Sequence, residues 1–204
     1  MRIVLAFFLF QFCVLAKSNL NIALPQEVLH TKEELLAPNP KDIQFGNKKA
    51  KVQVVVFDSY SCFHCANLYN ETLPVLEKMY IKTGKILFIH KEFPLDKLAL
   101  FASKVVHCSV NPTKTMHEIY SKHNSFLVKN YEQKLLAING VNRVCVKKFD
   151  DKTITKLAYE YSKVLQINST PTVYINGQPL EKKALKYFIA KIDYELEKEV
   201  IIPK

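Results

Sequence analysis

The stretch from 52 to 65 constrains this chain most. VQVVVF at 52–57 is a continuous run of apolar, largely β-branched residues with turn residues beyond it. Such a run suits a strand buried on both faces, as in a parallel sheet. Cys62-Phe63-His64-Cys65 follows at once and opens a stretch, to about Thr83, that is helical in pattern. Leu68, Leu73, Leu76 and Met79 fall roughly on one face, and Pro74 is expected to kink or divide the helix. KILFIH at 85–90 reads as a second buried strand. Strand, helix and strand at these lengths make a right-handed βαβ unit.

The rest of the chain is helical until near its end. Residues 95–166 contain no convincing strand, and three apolar stripes recur there at helical spacing. They are Leu98, Phe101, Val105 and Cys108; Val141, Cys145 and Phe149; and Ile154, Leu157, Tyr161 and Leu165. TVYI at 172–175 is then a strand, Asn176–Gly177 a type I′ hairpin signal, and Gln178–Leu180 a short antiparallel return. A last helix carries Leu185, Phe188, Ile189, Ile192 and Leu196 on one face. Before the first strand, residues 17–50 read as an extension with one short amphipathic stretch, PQEVLHTKEELLA, ended by Pro38 and the Asn39–Pro40 breaker.

Arg2 is followed by IVLAFFLFQFCVLA, with no charge until Lys17. That is short for a bilayer span. It has the layout of a secretory signal, with small residues Val14 and Ala16 before the expected cut; an uncleaved anchor is the alternative. Removal after Ala16 takes Cys13 with it. The odd count of 5 cysteines becomes the even set Cys62, Cys65, Cys108 and Cys145, in a compartment where disulfides persist.

Four glycines and no tryptophan argue against glycine-rich nucleotide loops and propeller repeats. The net charge of +10 does not point to nucleic acid. Of 29 basic residues only Arg2 and Arg143 are arginine, and the lysines form no long run with interleaved aromatics. A solvated lysine surface is the expectation.

The chemistry sits on Cys62-Phe63-His64-Cys65. A helix N-terminus offers unpaired N–H groups and about half a positive charge, which stabilise a thiolate. A charged His64 would add to that. The thiolate is both the nucleophile and the better leaving group, so lowering the pKa of Cys62 makes its disulfide easier to break and favours the reduced form. A zinc half-site would need two further ligands at similar spacing, and none accompanies this pair. A purely structural disulfide fits the strand-to-helix position poorly. Ser169-Thr170-Pro171-Thr172, just before a strand, is the second element; Pro171 has no N–H, which leaves room for a partner's backbone.

FDSYSCFHC with its helix, KEFPL at 91–95, the helical block and STPTVYING at 169–177 together resemble the DsbA-like thiol:disulfide oxidoreductases of the thioredoxin superfamily. The likeness spans about residues 45–200. It implies an α/β thioredoxin fold, a mixed central sheet of β-α-β and β-β-α halves, with an inserted α-helical domain. The boundaries read as 1–16 signal peptide, 17–50 N-terminal extension, 51–94 and 168–204 thioredoxin domain, and 95–167 inserted helical domain. The resemblance implies that Cys62 is the exposed nucleophile, Cys65 the buried resolving cysteine, and Thr170–Pro171 a cis peptide facing the pair, with Phe63 and His64 shaping the site. No cofactor is implied.

Two departures stand out. Many relatives have an acidic residue six positions before the first cysteine, able to relay protons beneath the pair; here that position is Val56. Asp58 lies on the same strand face as Val56. Phe63 replaces a common proline or glycine, and while His64 matches the oxidising branch, Thr170 matches isomerase-like members. Cys108 and Cys145 would fit buried free thiols, but their even count and exported location favour a structural disulfide. His30, His90, His107, His117 and His123 read as surface or packing residues.

The function expected is introduction of disulfides into unfolded or partly folded exported polypeptides in the periplasm, by a monomer. The polypeptide would bind near Thr170–Pro171 and an apolar surface including Phe63 and Tyr60. The resemblance implies reoxidation by a quinone-linked membrane oxidase of the DsbB kind. The alternatives are an isomerase or reductase kept reduced by a membrane electron donor, and a non-catalytic thioredoxin-fold binding protein.

Overall fold

In the computed structural model, which describes residues 29–198, the stretch read as an extension supplies two structural elements. The signal segment and the first part of the amphipathic stretch lie outside the described residues. Lys32–Leu36 (α1) starts at a capping box: the Glu34 N–H donates to Thr31 Oγ1, and the Thr31 N–H to Glu34 Oε2. Ile43–Gly46 (β1) then forms an edge strand of the central sheet. Its four residues are too few to show a period, so the sequence pattern does not reveal it. Gly46 ends β1 at φ +100, where a Cβ would overlap the Ile86 carbonyl.

Val52–Asp58 (β2) and the crossover to Ile86–Glu92 (β3) follow the expected βαβ plan, with the two strands parallel. Between them the helix is continuous but not uniform. Phe63–Asn67 (α2) passes into a π-helical turn, Leu68–Thr72, then Leu73–Leu76 (α3) and a second π-helical turn, Glu77–Ile81. Pro74 lies inside this continuous helix, directly after the first π-helical turn, whose widened hydrogen-bond ladder accommodates its missing N–H. The wider turns also rotate the apolar stripe. Leu68, Leu73 and Leu76 stay buried, but Met79 turns outward and Tyr80 and Ile81 turn in.

Six helices separate β3 from the last strands: Lys97–His107 (α4), Pro112–Ser121 (α5), His123–Phe126 (α6), Tyr131–Leu136 (α7), Arg143–Lys148 (α8) and Lys152–Val164 (α9). On α4 the fully buried positions are Ala99, Ala102, Ser103, Val105 and Val106, largely one step off the expected stripe. Small side chains there let neighbouring helices approach closely. Cys108 and Cys145 are joined by a disulfide with Cα atoms 5.6 Å apart, tying the end of α4 to α8. A bridge enclosing that much chain contributes about 3–4 kcal/mol in the chain-entropy model.

Thr172–Ile175 (β4) and Gln178–Pro179 (β5) form the hairpin, with Asn176 at φ 46 and Gly177 at φ 75, both left-handed as a type I′ turn requires. Leu185–Glu197 (α10) closes the described chain. The five-stranded mixed sheet has the order β1-β3-β2-β4-β5, with only β2 and β3 parallel. This is the thioredoxin fold interrupted by helices.

The sheet is covered on both faces. Val52, Val54, Val56, Ile86, Phe88 and Ile175 face one apolar cluster, shared with the α2–α3 helix, α4, α5 and α10. Val55, Phe57, Leu87, Ile89 and Tyr174 face the other, against Leu35 and Leu36 of α1 and Tyr161 and Leu165 of the α9 end. So α9, within the stretch read as the inserted domain, is a covering layer of the sheet itself.

Candidate redox site

The end of β2 aims the chain at the next helix. Cys62 is the N-cap of α2, extended at φ −84 and ψ 119, so its side chain turns back over the first helical N–H groups. The Cys65 N–H donates to Cys62 Sγ at 3.4 Å. Across the site the Thr170–Pro171 peptide is cis, and in the thiol form Cys62 Sγ donates to the Thr170 carbonyl at 3.3 Å. Cys62 is half-buried and Cys65 fully buried.

These surroundings split the two thiols. The hydrogen bond from the Cys65 thiol lowers the Cys62 pKa most. Burial opposes it, and the Thr170 hydroxyl with the backbone N–H groups of Cys65 and His64 lowers it further. The net effect takes Cys62 from an ordinary thiol value of 9.0 to about 5. Burial pushes Cys65 strongly the other way, helped by its bond to Cys62 and the negative charge of Asp58. His64 therefore serves Cys62 through its backbone, while its ring is exposed and stands edge-on to Phe63. Phe63 is 56% exposed. Tyr60, expected on the same apolar surface, is buried instead, because its hydroxyl reaches His90 Nε2 at 3.2 Å and its ring packs on Tyr120.

A groove of about 650 Å³ runs past the pair between α2 and the cis-proline loop, lined among others by His64, Leu68, Thr170, Pro171 and Leu185.

Sequence reasoning missed the groups beneath the pair. Asp58 is buried at the end of β2 and accepts three hydrogen bonds. They come from Tyr120 Oη to Oδ1 (2.6 Å), Tyr69 Oη to Oδ2 (2.7 Å) and His90 Nδ1 to Oδ2 (2.8 Å). His90 is thus neither a surface histidine nor an inert packing one. It is 1% exposed and bound on both ring nitrogens. Burial alone would lower its pKa, but Asp58 outweighs that and holds it above the ordinary imidazole value. The register gives the reason: β2 and β3 pair Val56 with His90, so His90 stands beside the residue that replaces the usual acid. The sequence-level clue was strand parity, which puts Asp58 and His90 on the same face as the redox helix. Lys91, inside the quoted KEFPL motif, is also buried, paired with Asp42 Oδ2 at 2.7 Å. His107 pairs with Glu92 at 2.9 Å. Among the described residues no cluster of His, Cys, Asp and Glu could hold a metal ion, and no helix is long and apolar enough to cross a membrane.

Comparison with known proteins agrees with this geometry. The family model for thioredoxin matches residues 38–193. A Rickettsia bellii protein named provisionally as a protein-disulfide oxidoreductase is 32% identical over 168 residues, covering 76% of this chain and 65% of that one. A similarly named Rickettsia typhi protein is 29% identical over 171 residues, covering 78% and 63%. The chain thus spans slightly less than two thirds of these relatives' length. The crystal structure of Wolbachia pipientis alpha-DsbA1 matches with a TM-score of 0.72 at 25% identity, over 84% of this chain and 98% of that one. Chlamydia trachomatis DsbA matches with a TM-score of 0.65 at 15% identity, over 81% and 98%. With its cysteine pair at the mouth of the first crossover helix and a cis-proline loop opposite, this chain belongs to the thioredoxin family, in its DsbA-like form.

Proposed function

We propose that this chain is a thiol:disulfide oxidoreductase that oxidises paired cysteines in exported polypeptides. The observation that carries the reading is the split between the two thiols: Cys62 lowered to about 5, Cys65 buried and pushed up. A pair built this way gains stability when reduced, which makes its disulfide an oxidant of other thiols. The names of the Rickettsia relatives support the reaction class.

A substrate thiolate, lying in the groove beside Thr170–Pro171, attacks Sγ of Cys62. The Cys62–Cys65 bond breaks and its electron pair leaves on Cys65. A second substrate thiolate then attacks the substrate sulfur of the mixed disulfide, and Cys62 departs as a stable thiolate. The substrate loses two electrons and the pair gains them. Pro171, lacking an N–H, leaves the loop edge open to the substrate backbone, and exposed Phe63 offers an apolar contact. Reoxidation falls to a quinone-linked membrane oxidase of the DsbB kind. The place of action is the periplasm, reached through the signal segment, and the working form is a monomer.

The test is oxidation of a reduced two-cysteine peptide by the purified protein. Cys62→Ser should abolish it, and unchanged turnover would end the proposal. The reduction potential of the pair against glutathione then fixes the direction. An oxidising value supports the oxidase, and a thioredoxin-like value supports the reductase or isomerase instead.

A further inference from the structure

The redox helix has a pocket on each side. On the cis-proline side lies the groove described above, with His64 in its wall. On the other side, between α2 and the α5–α6 turn, lies a second pocket of about 320 Å³, with Phe63 in its wall. Asn67, one turn along α2, lines both, so the redox helix is the partition between them. In the proposed function, on which this inference rests, a polypeptide crossing Cys62 lies in the groove on one flank of its cysteine. On the other flank it meets this second pocket.

The second pocket holds an orphaned imidazole. His123, the first residue of α6, is 5% exposed, and neither ring nitrogen has a hydrogen-bond partner among the described residues. A buried polar group left unpaired costs stability, since it has given up water and gained nothing. An apolar side chain of similar size would serve packing better. The other polar walls sort by what they already do. Tyr120 donates to Asp58, Ser121 to the Glu118 carbonyl, Ser125 to the Lys122 carbonyl and Asn70 to the Tyr120 carbonyl. The side chains of Asn67 and Asn124, like that of His123, make no hydrogen bond within the described residues. All three can donate, the imidazole through one N–H in either tautomer. Among the described residues no carboxylate lines the pocket, and Lys122 stands at its edge, shared with Glu118 Oε1 at 2.7 Å. A carboxylate fits such a wall. It accepts several hydrogen bonds at once, and bonds to a charged acceptor are stronger than neutral ones.

We propose that this pocket is a substrate subsite, and that it takes an acidic side chain of the polypeptide being oxidised, on the flank of the reacting cysteine away from the cis-proline loop. The carboxylate accepts from the His123 imidazole and from the Asn67 and Asn124 amides. The imidazole nitrogens are shielded from water in the free protein. The Phe63 ring, 56% exposed and 6.5 Å from the imidazole, turns aside as the polypeptide packs on it. The shielding favours binding, because the imidazole is already desolvated. An extended chain advances about 3.3 Å per residue, and Phe63 adjoins Cys62, so the acidic residue lies within about three positions of the cysteine.

The test uses reduced two-cysteine peptides with Glu, or Gln in its place, one, two or three positions to either side of the first cysteine. With the wild-type protein, Glu should raise the oxidation rate constant over Gln by about 10-fold at one or two of these positions and not at the rest. His123→Leu, apolar and similar in size, should bring that ratio to about 1. Asn124→Asp, at an exposed position, puts a negative charge in the pocket and should bring the ratio below 1, which keeps the test decisive if the leucine variant fails to fold. A folding defect scales both peptides alike and leaves the ratio unmoved. A Glu preference equal at every position, or one that persists in either folded variant, would overturn the subsite and assign the effect to the lysine surface. A ratio near 1 throughout, or a preference for Gln, would overturn the carboxylate. The same peptides with serine for cysteine separate the subsite from the chemistry. Their affinities, read by fluorescence anisotropy, should show the same ratio, lost in both variants; its absence in the wild-type protein would overturn the subsite. That ratio in a wild-type protein that fails to oxidise the two-cysteine peptides would support the subsite and count against the proposed function alone.

Discussion

Cys62 and Cys65 are the same residue type three positions apart in one helical turn, yet they end with opposite proton affinities. One caps the helix and collects N–H groups; the other is sealed between the helix and the sheet. The sign of the resulting pH dependence follows. The folded Cys62 pKa is depressed from 9.0 to about 5, so the thiolate adds stability to the reduced protein. That stability is fully present above the unfolded thiol value and is lost as pH falls through about 5. The oxidised protein has no such group. The difference between the urea midpoints of the reduced and oxidised forms should therefore widen from about pH 5 to about pH 9. The thiolate absorbance of the reduced protein should titrate near 5; a midpoint near 9.0 would contradict the geometry of the cap. The residues of the motif were legible in the sequence because backbone donors at a helix start depend only on local structure. Asp58 and His90 were not, because their partnership joins two strands and two helices.

At the level of elements, the edge strand β1 depends on two contacts that no local pattern announces. Gly46→Ala should destabilise the protein by about 1–3 kcal/mol, the cost of a side chain in a strained backbone conformation, here with a carbonyl in its path. Asp42→Ala should cost more, about 3–5 kcal/mol, because it strands the buried Lys91 ammonium without its carboxylate. Both are measured by urea unfolding, and a loss below about 0.5 kcal/mol for Asp42→Ala, the range of ordinary surface substitutions, would remove the pair from the account. β2, β3 and β4 were readable because strands buried on both faces need unbroken apolar runs. The helix after Cys62 was readable as a helix but not in its phase, since two π-helical turns advance the stripe and bring Tyr80 and Ile81 inward in place of Met79.

Across the whole molecule, the helical block and the sheet share one core. Ala99, Ala102, Met116, Ile119 and Tyr120 of α4 and α5 lie in the same apolar cluster as Val54, Phe88 and Phe188, while α9 seals the opposite sheet face. The protein should therefore unfold in a single transition, with far-ultraviolet circular dichroism and tyrosine fluorescence coincident. Two resolved transitions would show an independently stable helical domain. The sequence by itself determined the strand-helix-strand order, the position of the redox pair and the proline before the last hairpin. Each of these rests on periodicity, turn chemistry or a residue type acting within a few positions of itself. Only the tertiary structure decided what stands beneath the pair, which strand closes the sheet edge and that α9 covers one face of the sheet. Those outcomes depend on strand register and on burial, which bring together residues as distant in the chain as Asp58, His90 and Tyr120.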